Sequence, residues 1–163
     1  MQQATVVWIA SRLVTELKNS ATELFPLETG GVLMGYWVNE HEAVVQRLIG
    51  AGPAARHSRR RFTPDAAWQR GRISDVYRES GRTCTYLGDW HSHPNTSSDA
   101  LSWIDRRAIK KVASATAARA PTPLMALVFG KPHEWEHTIW IGRLSPMFGF
   151  NRLALERCRQ RLY

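Results

Sequence analysis

Cysteines and long apolar runs are scarce in this chain of 163 residues, and each scarcity argues against a class of protein. Cys84 and Cys158 lie far apart and outside any CxxC spacing, which disfavours a disulfide framework and a cysteine-based zinc site. No run approaches the roughly 18 apolar residues that a membrane span needs. The first residues, MQQATVVWIASRL, lack the basic start and sustained apolar region of a secretory signal. We therefore expect a cytoplasmic protein with no membrane partner.

Acidic residues are also few, because 14 Asp and Glu stand against 22 Lys and Arg, giving a net charge of +8. The arginines concentrate in the loop at residues 56–61 and in the tail at residues 152–161. Three interpretations stay open: a solvated surface, a docking surface for an acidic protein, and a nucleic-acid surface. Nucleic acid is the least favoured partner, since no zinc-finger, RNA-recognition or helix-turn-helix signature accompanies the charge.

Apolar periodicity predicts one mixed α/β domain over residues 1–163, with a single mixed β-sheet flanked by helices. Hydrophobic residues make up 44% of the chain, enough for a packed core. The predicted strands cover residues 6–9, 30–37, 42–49, 83–91, 123–129 and 138–144. The predicted helices cover residues 11–24, 63–81 and 102–118, and a short helix is expected in the tail after residue 151. Residues 50–62, rich in Gly, Ala, Pro and Arg, are expected to form a loop.

The segment GDWHSHPNTSSDALSWID, residues 88–105, carries the chemistry. His91 and His93 are two apart at the end of a predicted strand, so both imidazoles point to one face and can bind one ion. If Ser102 begins a helix, Asp105 lies in its first turn and can point back at the strand end. Two imidazole nitrogens and a carboxylate oxygen are a common ligand set for catalytic zinc, with a fourth position left for water. The sequence thus predicts one Zn²⁺ per chain.

A hydrolytic site of this kind also needs a base and a group that stabilises the oxyanion. Glu28 is the candidate base, because it stands at the junction of a helix and a strand. The glycines that follow it, Gly30 and Gly31, let the backbone pass close to the metal. Ser102 is the candidate donor to the oxyanion of the tetrahedral intermediate.

Two other acids lie near the motif. Asp99 lies in the loop before Ser102 and is an alternative to Asp105. We favour Asp105 because it keeps the Ser-x-x-Asp spacing and stands on a helix rather than on a loop. Asp89 is expected to point to the opposite face and not to bind the metal. His57 is expected to be a surface histidine.

Glu28 in ETGGVLMG, the segment GDWHSHP, and Ser102 with Asp105 together resemble the JAB/MPN (JAMM) metallopeptidase pattern. The resemblance spans residues 5–145 and implies the cytidine-deaminase-like JAB/MPN fold. Many members have six residues between the Pro of HxHP and the Ser, whereas seven lie between Pro94 and Ser102 here. A surface loop accepts one more residue at small entropic cost.

Family members with a complete site cleave isopeptide or peptide bonds that follow the C-terminus of ubiquitin-like proteins. The chain most resembles stand-alone bacterial JAB proteins of CBASS anti-phage operons, which implies a conjugated nucleotidyltransferase (CD-NTase) as substrate. A protein C-terminal tail is therefore the expected partner. The alternatives are a non-catalytic MPN scaffold and a basic nucleic-acid-associated protein.

Five residues are candidates for contact with the substrate. The arginine loop supplies three, and two tryptophans flank the metal motif, although such tryptophans are more often core residues. The candidates are Arg59, Arg60, Arg61, Trp90 and Trp103.

Overall fold

The computed structural model describes residues 4–163, and its elements follow the predicted order up to the C-terminal tail. The strands are β1 (Val6–Ile9), β2 (Gly30–Asn39), β3 (Glu42–Ile49), β4 (Arg56–His57), β5 (Phe62–Thr63), β6 (Thr85–Pro94), β7 (Leu124–Gly130), β8 (Glu136–Met147), β9 (Phe150–Arg157) and β10 (Arg159–Leu162). The helices are α1 (Ser11–Leu24), α2 (Ala66–Glu79) and α3 (Trp103–Ser114), with a 3₁₀ turn at Thr116–Ala118. The third helix therefore ends earlier than predicted. No helix within residues 4–163 combines the length and apolar character needed to cross a membrane.

One mixed sheet of eight strands organises the chain, in the order β10-β1-β3-β2-β6-β7-β8-β9. The pairs β1–β3, β1–β10 and β6–β7 are parallel, and the remaining pairs are antiparallel. The predicted mixed sheet is thus confirmed. The β4–β5 pair forms a separate small hairpin within the predicted loop at residues 50–62.

The C-terminal segment joins the two ends of this sheet. The last two strands stand at opposite ends of the strand order, yet only Cys158 separates them in the chain. The backbone N–H of Cys158 donates to the carbonyl of Ile139 at 2.8 Å, and that of Arg159 donates to Thr5 at 2.8 Å. One extended segment therefore pairs first with β8 and then with β1, and it supplies the strands at both ends of the sheet order.

The prediction of a short helix in this tail was wrong. Leu153 and Leu155 are two residues apart and pack under α3 with Ile109 and Trp140. This spacing of two residues is the periodicity of a strand. The next strand, β10, pairs with the distant β1, and the sequence of the tail alone does not indicate that partner.

Helices cover both faces of the sheet. The first helix packs Leu13, Leu17 and Ala21 against one face, in a core that includes Val45 and Leu87. The second and third helices cover the other face. There Ile73 and Val76 pack with Met34 and Cys84, and Ile109 packs with Met125. Burial of these side chains supplies most of the driving force for folding, and the gap between α2 and α3 is where the functional residues meet.

Strands β6 and β7 approach each other closely at Gly88. A Cβ atom built on Gly88 would lie 1.9 Å from the carbonyl oxygen of Leu124, in a backbone with φ +153°. We expect Gly88→Ala to lower the free energy of unfolding by about 2–4 kcal/mol in urea titrations, because the backbone must shift. Gly71→Ala is the matched control. It lies in a helix with no neighbouring atom within 4 Å, so it should be neutral or stabilising by up to about 1 kcal/mol. Equal effects of the two substitutions would contradict this account of the strand pairing.

Candidate metal centre

Three side chains converge on one point beside the end of β6. The Nε2 atoms of His91 and His93 are 2.8 Å apart. The Asp105 carboxylate oxygens lie 3.2 Å from the Nε2 of His91 and 3.6 Å from that of His93. Ligand atoms about 2.0–2.1 Å from a tetrahedral zinc ion stand roughly 3.3 Å from one another. The donor atoms and their spacing thus fit one metal ion.

Local structure brings these ligands together. Strand alternation puts His91 and His93 on the face that α2 and α3 cover, while Ser92 between them is fully buried. Ser102 is the N-cap of α3, and its Oγ accepts from the Asp105 N–H at 3.3 Å. The Asp105 carboxylate accepts in return from the Ser102 N–H at 2.6 Å, which completes a capping box. The cap therefore fixes the direction in which the carboxylate points.

Asp99 in the loop and Asp105 on the helix have different surroundings. Asp99 accepts a hydrogen bond from Arg157 Nη2 at 2.7 Å, and its backbone carbonyl accepts from the indole of Trp140. It therefore anchors the loop to the sheet. Asp105 is the carboxylate that clusters with the two histidines, and the longer loop does not disturb that cluster.

Glu28 lies between α1 and β2 and lines the same cleft as the two histidines and Asp105. Its backbone N–H donates to Ser58 at 2.8 Å, and its carbonyl accepts from His57 Nδ1 at 2.9 Å. Both partners belong to the small hairpin of β4 and β5. These hydrogen bonds fix the main chain of Glu28 and do not use its carboxylate, which can therefore take part in proton transfer.

Ser92 and His57 hold this region together but were not singled out from the sequence. The Ser92 Oγ accepts from the Thr29 N–H at 3.0 Å, and the Ser92 N–H donates to the Thr29 carbonyl at 2.8 Å. Strand β6 is thereby bound to the residue that follows Glu28. A serine inside an otherwise buried strand face was the available signal. His57 is half-buried against Glu28, so the expectation of a free surface histidine was wrong.

Gly30 lets β2 pass beside the candidate metal ligands. A Cβ on Gly30 would lie 2.4 Å from the carbonyl oxygen of Trp90 and 2.8 Å from the Cβ of His91. Any larger residue would push His91 out of place. The structure thus gives a physical reason for glycine after Glu28.

Burial sets the protonation of the site. Desolvation lowers the pKa of His91 and of His93, against the opposing charge of Asp105. Both imidazoles are therefore neutral at neutral pH, as metal ligands must be. Burial, with a further contribution from the charge of Asp105, raises the pKa of Glu28 from 4.5 to about 7. A carboxyl group with a pKa near the working pH suits a general base.

The cleft around these residues has a volume of about 860 Å³. The three arginines of the predicted substrate loop, residues 59–61, line it together with Phe62 and Ile104. Trp90 belongs to the core, with 3% of its surface exposed, and its indole donates to the Ile49 carbonyl. Trp103, by contrast, is 69% exposed, so the core interpretation holds for Trp90 and fails for Trp103.

The expectation that Asp89 points away from the ligands was wrong. Asp89 is two residues before His91 on the same strand, so it shares its face and lines the cleft. The Tyr86 hydroxyl donates to its carboxylate at 3.0 Å. Burial raises the pKa of Asp89 to about 6, and the hydrogen bond from Tyr86 opposes this shift. Asp89 is not one of the three clustered ligands.

Comparison with known proteins agrees with the site. A family model described as prokaryotic homologs of the JAB domain matches residues 10–146. The chain belongs to this family. It is 41% identical over 140 residues to the probable metalloprotease y4qB of Sinorhizobium fredii. The aligned region covers 86% of this chain and 85% of that protein.

A second relative of this JAB protein is more distant. The CD-NTase/cGAS isopeptidase of Escherichia coli is 26% identical over 143 residues, covering 84% of this chain and 81% of the relative. The solution structure of protein DSY2949 from Desulfitobacterium hafniense superposes with a TM-score of 0.68 at 19% identity, covering 96% of this chain and 92% of that one. That likeness shows the fold. The predictions of a JAB fold and of a metallopeptidase of this family are confirmed.

The raised pKa of Glu28 predicts a pH-dependent cost to stability in the metal-free protein. Below pH 4.5 the carboxyl is protonated in both the folded and unfolded states. Above about 7 the folded state holds an unfavourable buried charge, so stability falls as the pH rises between these values. We expect Glu28→Gln to raise the melting temperature well above pH 7 and to leave it nearly unchanged near pH 4.5.

The control for this measurement is Glu23→Gln, at an exposed position of α1. It should leave the melting temperature unchanged throughout the pH range. A Glu28→Gln difference that is the same at both ends of the range would show that the charge of Glu28 is not the cause.

Proposed function

We propose that this JAB protein is a zinc-dependent peptidase or isopeptidase that cuts the bond following the C-terminal tail of a protein. The observation that carries the proposal is the convergence of the His91 and His93 Nε2 atoms with the Asp105 carboxylate, in a cleft that Glu28 also lines. His91, His93 and Asp105 would hold the ion, one per chain. A zinc ion held there would supply Lewis-acid chemistry, which makes water easier to deprotonate near neutral pH.

Side chains of the protein carry out the proton transfer and stabilise the oxyanion. Glu28, with its pKa near 7, takes the proton of the attacking water and delivers it to the leaving amine. The Ser102 Oγ accepts from the Asp105 N–H, so its own hydroxyl hydrogen remains available. That hydrogen donates to the oxyanion that forms on the substrate carbonyl.

The class of substrate is inferred from the relatives. The Escherichia coli relative is named as an isopeptidase of CD-NTase/cGAS, which supports a conjugated CD-NTase or a ubiquitin-like protein as the substrate of this chain. We further propose that residues 1–163 form a single JAB domain and that the protein acts in the cytoplasm, in an anti-phage conjugation system. Both cysteines are free, as is usual in that reducing compartment.

Measuring both zinc content and activity in the same variants distinguishes the role of the base from that of the metal ligands. We expect Glu28→Ala to lower kcat by about 10²–10⁴-fold while zinc stays bound. His91→Ala and Asp105→Ala should lose both zinc and activity, because each removes a ligand. The measurements are metal content by mass spectrometry and cleavage of reporters fused to the C-terminus of a CD-NTase or of a ubiquitin-like protein.

Glu23→Ala, at an exposed position, should behave as wild type. Full activity of Glu28→Ala would overturn the assignment of the base. A wild-type protein that binds no zinc and cleaves neither reporter would favour the non-catalytic scaffold instead.

The hydroxyl of Ser102 has two roles that substitution distinguishes. Ser102→Ala removes the oxyanion donor and should lower kcat by about 10²–10³-fold, with a loss of about 1 kcal/mol of stability from the missing cap. Ser102→Thr keeps a hydroxyl and should restore most of both quantities. If Ser102→Ala loses stability without any fall in kcat, Ser102 acts only as the helix cap.

A further inference from the structure

The arginine loop is fixed in place beside the candidate base. The Ser58 N–H donates to the Arg61 carbonyl at 2.9 Å, and the Ser58 Oγ donates to the same carbonyl at 3.0 Å. These bonds close a tight turn with Arg59 and Arg60 at its tip. The His57 and Phe62 rings stack across the base of the hairpin with centroids 5.5 Å apart. The turn is therefore held in a defined conformation by hydrogen bonds and ring stacking.

The same hairpin is joined to Glu28 at both of its main-chain groups. Ser58 accepts from the Glu28 N–H, and His57 donates to the Glu28 carbonyl. The position of the arginines relative to the cleavage site is therefore set by hydrogen bonds. A group bound by these arginines lies in the same cleft as the reacting bond.

The charge of this loop is uncompensated. Residues 51–64 contain four arginines and no Asp or Glu. Within residues 4–163, the guanidinium groups of Arg59, Arg60 and Arg61 have no carboxylate at ion-pair distance. All three are exposed, whereas Arg157 and Arg72 are paired with Asp99 and Asp75. The rim of the cleft thus offers charge and hydrogen-bond donors that the protein itself does not use.

We propose that Arg59, Arg60 and Arg61 select a substrate tail that carries acidic side chains next to the scissile bond. This inference rests on the proposed function and narrows its substrate class. A carboxylate-bearing tail matches the unpaired guanidinium groups, and a lysine- or arginine-rich tail is repelled by them.

The test measures binding in the zinc-loaded Glu28→Gln protein, where the bound tail is not turned over. The probes are three fluorescent peptides of equal length with glycines at the same positions. The remaining positions are all glutamate in the first peptide, all serine in the second and all lysine in the third. We expect the glutamate peptide to bind about tenfold more tightly than the serine peptide and the lysine peptide to bind most weakly. The preference should shrink as salt is added.

Two charge-matched variants locate the effect. Replacing Arg59, Arg60 and Arg61 together by glutamine should abolish the preference for glutamate. Replacing Arg152, Arg159 and Arg161 together by glutamine removes the same charge from exposed positions outside the cleft and should preserve it. Melting temperatures of both variants establish that each is folded, and reporter fusions with acidic or neutral tails repeat the comparison as kcat/KM.

Each other result counts against the inference. It is overturned if the three peptides bind equally, if both triple variants lose the preference equally, or if duplex DNA at physiological salt binds the loop more tightly than the glutamate peptide. Zinc-dependent cleavage of the neutral reporter without a gain for the acidic one refutes the inference alone. Absence of zinc-dependent cleavage for every reporter refutes the proposed function.

Discussion

The convergence of two imidazoles and a carboxylate is the constraint on which the rest of the site depends. Donor atoms 2.8–3.6 Å apart are favourable only when a cation lies between them or when neighbouring groups compensate. Strand alternation supplies the pair of histidines, and the cap of α3 supplies the carboxylate. Because the capping box uses both Ser102 and Asp105, the bonds that stabilise the helix end also orient the candidate ligand Asp105.

The main chain around this point is crowded, and that crowding keeps the geometry rigid. Gly30 allows β2 to approach the Cβ of His91, and Ser92 ties β6 to Thr29. Glu28 is held from the other side by the hairpin at residues 56–63. The candidate base is thus connected to the candidate metal ligands through one strand and to the arginine loop through two hydrogen bonds. A preorganised site of this kind needs little rearrangement during the reaction.

The electrostatics of the cleft divide into two zones. Its floor holds Glu28, Asp89 and Asp105, where burial keeps the pKa values of Glu28 and Asp89 high. Its rim holds three unpaired arginines. A cation at the floor offsets the repulsion between the carboxylates, whereas an anionic group at the rim offsets the arginines. A flat, solvated basic surface would not combine acidic groups at its floor with basic groups at its rim in this way.

The sequence by itself determined the local elements and the pattern of ligands. Period two placed His91 and His93 on one face, and the Ser102-to-Asp105 spacing specified a helix cap, because both signals are short-range. Tertiary structure decided what depends on distant residues. Strand β9 forms a hairpin with the neighbouring β8, but β10 pairs with β1 at the other end of the chain. Likewise Asp99 accepts a hydrogen bond from Arg157, and His57 binds the carbonyl of Glu28, 29 positions away. Hydrogen bonds between such distant segments leave no periodic trace in the sequence, since their partners are chosen only when the chain folds.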